Sequence, residues 1–332
     1  MRIPSALIGI VIVLASAACA GNQMAVDAPE PDGDVRPERI TGFDGRVLTL
    51  QLAREDGSLD HFDSVRDSQG SWAYPPVLPN HVGRVWILRK TKRDSSSLVY
   101  ALIGWDDDDP TDYLAAGYWL RFPGPRVFGS GLVAAERQVF IDGPEIDPSD
   151  PPQLPVSGTA TYVGPVGGLY EYSHGSDWTD VEAPVVADEF AATMNIEASF
   201  ADGTLSGCIG CIGDIRIERR HLYAYLGFRR RPVPEAPPTD YELHFGLTAI
   251  DPDGTFRNTE VSVLHPDRIV TQWSGSWSGT LSNVPDDDGF PRLVAGKMGT
   301  EFQEADGSQG NFQGIFTALG ESLLPPDPGG EP

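Results

Sequence analysis

The sequence predicts an all-β protein: a C-terminal eight-stranded antiparallel soluble β-barrel preceded by a small β-rich module. Three observations carry that reading. Three runs between residues 269 and 318 alternate with period two, the mark of strands with one buried face. Glycine recurs beside large aromatics on the apolar parity of those runs. Crowded positions inside a sharply curved sheet need such small residues. Finally, 37 glycines and 29 prolines in 332 residues fit short strands joined by many turns.

Residues 1–18 read as an export signal. Arg2 supplies the positive start, and the apolar run Leu7 to Leu14 is too short for a permanent membrane helix. The run ends in Ala15-Ser16-Ala17-Ala18-Cys19, small residues before a cysteine. This resembles the lipobox of bacterial lipoproteins, and the resemblance implies a lipid on Cys19 and a membrane anchor. Residues 19–37 mix Asp27, Glu30, Asp32 and Asp34 with Pro29, Pro31 and Pro37, and read as a disordered tether.

Residues 38–145 are expected to form the small module, with one short helix. Leu48, Leu50 and Leu52 alternate with polar neighbours; Val85 to Leu88, Leu98 to Trp105 and Gly117 to Phe122 are rich in β-formers. The acidic run Asp106 to Asp109 lacks the spaced ligands and central glycine of a calcium loop, and reads as a solvated turn. Prolines 144, 148, 151, 152 and 155 then mark a boundary.

The barrel is expected over residues 146–320. Leu154 to Gly164, Leu169 to Tyr172, Met194 to Phe200 and Thr204 to Cys208 read as its early strands. A short helix is expected through Val185 to Thr193. Leu222 to Phe228 alternates, and Leu243, Phe245, Leu247 and Ala249 share an apolar parity. Trp273, Gly275, Trp277, Gly279 and Leu281 share the next, opposite Gln272, Ser274, Ser276 and Ser278. Val294 to Phe302 and Gly310 to Ala318 complete the set, joined at Asp306-Gly307, a tight-hairpin signal. The total, about eight, is the usual number for a small closed barrel. The polar faces carry few aromatic girdle positions, so the barrel reads as soluble rather than membrane-spanning. Residues 321–332, with Pro325, Pro326 and Pro328, read as a disordered tail.

The formal charge of −24 excludes a phosphate-binding footprint, so no nucleic acid is expected, and it favours basic or cationic partners. Cys208 and Cys211 flank Ile209-Gly210; in an exported chain they are expected to form a disulfide rather than half a zinc site. No catalytic residue, cofactor or metal is expected. The position midway between Gly275 and Gly279 is Trp277, so a nucleophile elbow fails there. The six histidines make no HExxH pair.

Several segments resemble the β-barrel domain of transferrin-binding protein B and its relatives, the transferrin-binding-protein-like solute-binding proteins. They are Leu154 to Tyr162, the Asp202-Gly203 turn, Gly275 to Gly279 and Gly307 to Phe316. Trp105 to Trp119 is similar to the region before the barrel in bacterial members. The resemblance implies a non-enzymatic outer-membrane lipoprotein that binds a protein or solute partner through barrel loops, in a role linked to iron or nutrient acquisition. Loop candidates are Gly164 to Trp178, Arg229 to Tyr241 and Asn283 to Arg292. Arg229, Arg230 and Arg231 form a basic island suited to an anionic partner. The alternatives are a carrier of a small apolar or iron-containing ligand inside the barrel, and a structural envelope lipoprotein.

Overall fold

Alternating apolar residues become strands wherever a neighbouring strand can take up their backbone hydrogen bonds. The structure, a computed structural model, describes residues 40–321 apart from 55–56, 74–82, 93–94, 106–109, 111–112, 124–135, 144–152, 174–185, 218–237, 284 and 286–287. Cys19, the tether, the acidic run, the Leu222 to Phe228 run and Arg229, Arg230 and Arg231 lie outside the described residues.

The first half makes two sheets. Strands β1 (Ile40–Phe43), β2 (Leu48–Ala53) and β3 (Leu59–Asp63) form an antiparallel sheet of three. A helical turn, α1 (Ser64–Asp67), follows, its N-terminus capped by the Asp63 carboxylate accepting from Val65 N–H. Strands β4 (Ser68–Ala73), β5 (Gly83–Thr91), β6 (Ser95–Trp105), β7 (Tyr113–Pro123) and β8 (Glu136–Asp142) then run antiparallel in sequence order. Strand β6 is buried along its whole length, because both faces of this sheet are covered. On one face Trp86, Leu88, Val99 and Ile103 pack with Leu48, Leu50 and Phe62 of the three-stranded sheet. Asp60 adds a polar clamp between the two sheets. Its carboxylate accepts from Arg54 at 2.5 Å and from Lys92, which directly follows β5, at 2.9 Å. Burial pushes that carboxyl up, but the two cations outweigh burial and hold it below the ordinary carboxylate value.

The second half makes the barrel. Its strands are β9 (Thr159–Ser173), β10 (Val186–Ser199), β11 (Thr204–Ile209), β12 (Arg216–Ile217), β13 (Glu242–Ala249), β14 (Thr255–Asn258), β15 (Val261–Leu264), β16 (Val270–Leu281), β17 (Leu293–Glu304) and β18 (Gln309–Gly320). These ten strands occupy eight positions. Short β12 continues the edge of β10 that β11 begins, while β14 pairs with β16 and its continuation β15 pairs with β13. With the Ile250–Phe256 bridge, that broken strand brings the sheet to near closure. All pairings are antiparallel. The hairpins at Asp202-Gly203 and Asp306-Gly307 form where expected, each glycine at positive φ, 62° and 89°. No helix among the described residues is long and apolar enough to cross a membrane.

The inward parity is filled with Tyr162, Phe190, Met194, Phe245, Trp277, Met298, Phe312 and Phe316. Glycines give these rings room: a Cβ on Gly296 would lie 2.3 Å from the Phe316 ring. The outward parity of β17 and β18 is also buried. Leu293, Ala295, Ile315 and Leu319 pack against Val85, Ile87, Leu98, Tyr100, Leu102 and Leu120 of the five-stranded sheet. The molecule therefore has three layers, a small sheet, a middle sheet and the barrel wall.

Four expectations change. Where a helix is expected through Val185 to Thr193, the described residues from Val186 on form strand β10, hydrogen-bonded on both edges. Gly164 to Ser173 is not loop but the second part of β9, which absorbs the Leu169 to Tyr172 run. Leu247 and Ala249 do not share the buried face with Leu243 and Phe245. The ladder passes from Gly207–Phe245 to Leu205–Thr248, so β13 carries one extra residue and its parity flips. Leu247 is consequently 69% exposed, while Thr248 is buried and accepts the Trp277 indole N–H at 3.0 Å. Lastly, Trp273 is 47% exposed despite its inward parity, because β14 reaches only Trp277 to Thr280 of β16.

Candidate functional site

One end of the barrel, here the upper end, carries the end of β9, the start of β10, the start of β13, the β15–β16 turn and the β17–β18 hairpin. The parity of β17 that points Met298 and Phe302 inward also points Glu304 inward, at the very end of the strand. A buried carboxylate there requires partners. Glu304 accepts from Tyr241 Oη at 2.5 Å, Tyr172 Oη at 2.9 Å and Arg268 Nη1 at 2.8 Å. Arg268 also donates to Tyr172 Oη at 3.0 Å, and Tyr170 donates to the Pro238 carbonyl at 3.0 Å. Rings close the cluster: Tyr170 stacks on Phe312 at 4.0 Å, and Tyr241 meets Phe302 at 4.6 Å and His265 at 4.7 Å.

Electrostatics follow from burial. Desolvation raises the Tyr172 phenol to about 12, with Glu304 adding to the rise. Burial, then the neighbouring phenols and Glu304, raises Tyr170 and Tyr241 further. Burial and the Arg268 charge lower the His265 imidazole, so it favours the neutral form. Glu304, already accepting three charge-matched or phenolic donors, acts as a brace. It joins β9, the start of β13, the β15–β16 turn and β17 at one point. Near that brace the β15–β16 segment exposes three large apolar side chains, Leu264 at 50%, Ile269 at 72% and Trp273 at 47%, among polar neighbours.

A second group lies on the outer wall nearby. Cys208 and Cys211 are disulfide-bonded, with Cα atoms 5.9 Å apart, at the break between β11 and β12. Cys208 stands opposite His244 in the ladder. His244 Nε2 lies 3.9 Å from Cys211 Sγ and 2.9 Å from a Glu242 carboxylate oxygen. A third polar group, Tyr118, Glu189, Lys297 and Gln313, is buried where the middle sheet meets the barrel. Tyr118 donates to Glu189 at 3.4 Å, and burial followed by the Glu189 charge raises its phenol well above the usual value. A cavity of about 10 Å³ beside Tyr118, Lys297 and Gln313 has room for about one water.

Of the residues singled out from sequence, Cys208 and Cys211 come together as expected. The described residues of the Asn283 to Arg292 stretch lie at the opposite, lower end of the barrel. Sequence reading missed Glu304, Arg268, Tyr172, Tyr241 and His265. One signal was available: an acid, Glu304, on the parity of Met298 and Phe302. A scan against protein-family models and a comparison with curated proteins found no match to this chain.

Proposed function

We propose that this chain is a non-enzymatic, lipid-anchored binding protein of the outer membrane or cell surface, holding a protein partner at the upper rim of its barrel. The observation that carries the reading is the exposure of Leu264, Ile269 and Trp273 within one short segment of a rim braced by Glu304. Several exposed large apolar side chains within one short segment suit a contact surface. The charge of −24 favours a partner that brings a basic face to that segment. Cys19 would carry the anchor, and residues 19–37 would hold the folded body off the membrane. The packed aromatic interior lends support to a rim site over a ligand carried inside the barrel.

The test is site-specific photo-crosslinking in the cells that make the protein. A photoreactive residue at Ile269 is expected to trap a discrete partner. One at Asp253, exposed in the lower-end turn between β13 and β14, is expected to trap none. Equal capture from both positions, or capture from Asp253 alone, would remove the rim from the reading. The anchor is checked separately: Cys19→Ala is expected to move the protein from the membrane fraction to the soluble one.

A further inference from the structure

The Cys208–Cys211 pair sits in more than a stiffened loop. Cys208 is the next-to-last residue of β11, and after Ile209 the turn at Gly210, φ 88°, brings Cys211 back beside it. Only glycine fits that turn, since a Cβ at 210 would lie 2.3 Å from the Tyr241 carbonyl oxygen. Across the ladder, His244 faces the pair from the same outer surface, and Glu242 is the next residue of that parity. The two sulfurs and one imidazole nitrogen lie within 4.8 Å of one another. Glu242 adds an oxygen 2.9 Å from that nitrogen. Three donor atoms thus converge, with the Glu242 carboxylate hydrogen-bonded to the third. Cys211 is exposed, and His244 and Glu242 are partly exposed, so the group opens to solvent.

We propose that reduction of the Cys208–Cys211 disulfide turns this corner of the barrel wall into a site for a thiophilic divalent cation, Zn²⁺ foremost, with Cys208, Cys211, His244 and Glu242 as ligands. The donor set is two sulfurs, one nitrogen and one oxygen, and the Cys-x-x-Cys spacing is that of structural zinc sites. Tetrahedral bonds of about 2.3 Å to sulfur put the two sulfurs about 3.8 Å apart. The present 3.9 Å from Cys211 Sγ to His244 Nε2 and 2.9 Å from that nitrogen to Glu242 are already close to ligand–ligand separations. The sulfurs must part, and the Glu242 side chain must swing toward them to supply the fourth ligand. A dithiol reductant gives two electrons and two protons to the Cys208–Cys211 bond and leaves as its own disulfide. The cation then displaces the two thiol protons and binds two thiolates. Oxidised, the same corner lacks thiolate ligands, so occupancy follows the redox state.

Co²⁺ titration of the full chain reads this directly. Protein reduced with a phosphine, and freed of excess reductant, is expected to bind one Co²⁺ per chain, with thiolate-to-metal charge-transfer and tetrahedral ligand-field bands. Zn²⁺ is expected to displace it. The oxidised protein is expected to show neither band. His244→Ala is expected to weaken binding at least about tenfold, a loss no smaller than an outer-shell partner causes. His244 lies on the outer face, and circular dichroism checks that the variant folds. Reduced protein without the charge-transfer band would overturn the proposal. So would Co²⁺ binding unchanged in His244→Ala, because two thiols alone would then account for it. Bands of equal strength in oxidised protein would overturn the redox dependence.

Discussion

Thr248 faces the core only because β13 carries an extra residue, and there it accepts the Trp277 indole N–H at 3.0 Å. Thr248→Val keeps the shape and removes the acceptor. A buried indole N–H left unpaired costs about 1–3 kcal/mol, so the urea midpoint is expected to fall accordingly. An unchanged midpoint would mean that the bond contributes nothing. This residue also marks a limit of sequence reading. Alternation placed Leu243 and Phe245 correctly but carried Leu247 to the wrong face, because nothing in the pattern announces a bulge. The tyrosines of the rim yield a second prediction. Burial raises Tyr172 from 10.0 to about 12, and Tyr170 and Tyr241 rise with it. The folded chain therefore keeps protons that the unfolded chain releases first. Stability from these groups is complete below about pH 10 and is lost as pH climbs through about 12. Urea midpoints measured from about pH 9 to pH 12 are expected to fall steeply, and less steeply in Tyr172→Phe. Equal slopes in the two proteins would sink this account.

At the level of whole elements, tertiary pairing overrules local preference. Val186 to Met194 contains Ala187, Glu189, Ala191, Ala192 and Met194, good helix formers that made a helix the natural expectation. Strands β9 on one edge and β11 with β12 on the other make it strand β10. Strands β16 to β18 were legible because glycine, aromatic residues and period two agreed there. The glycines hold strand spacing as much as ring space. A Cβ on Gly168 of β9 would lie 2.0 Å from the Gln313 carbonyl oxygen, which belongs to the backbone of β18. Backbone cannot yield as a flexible side chain does. Gly168→Ala is expected to destabilise the barrel by about 1–3 kcal/mol or more, read as a lowered urea midpoint. A neutral result would show that β9 and β18 can separate locally without loss. The candidate metal corner was half legible. Cys208 and Cys211 are visible as a pair, but His244 stands 33 residues from Cys211 and meets it only through the β11–β13 ladder.

Three layers share one consequence at the scale of the molecule. Sequence reading treated residues 38–145 as a small module beside a barrel with one buried face. The outward residues Leu293, Ala295, Ile315 and Leu319 already broke the polar parity of β17 and β18. Weighed together, they signal a partner layer, which the five-stranded sheet supplies. The barrel wall is thus built to be covered, and a chain begun at residue 153 would leave that apolar strip open to water. Such a chain is expected to self-associate, with the mass from light scattering rising with concentration, while the whole chain does not associate through this strip. Replacing Leu293 and Ile315 by lysine in the shortened chain is expected to restore monomers, because charge on the strip opposes stacking of two barrels. If the shortened chain is monomeric without those lysines, the middle sheet is dispensable to the barrel. The contact between Tyr100, Tyr118 and the outer wall would then be an association of two self-sufficient units rather than a shared core.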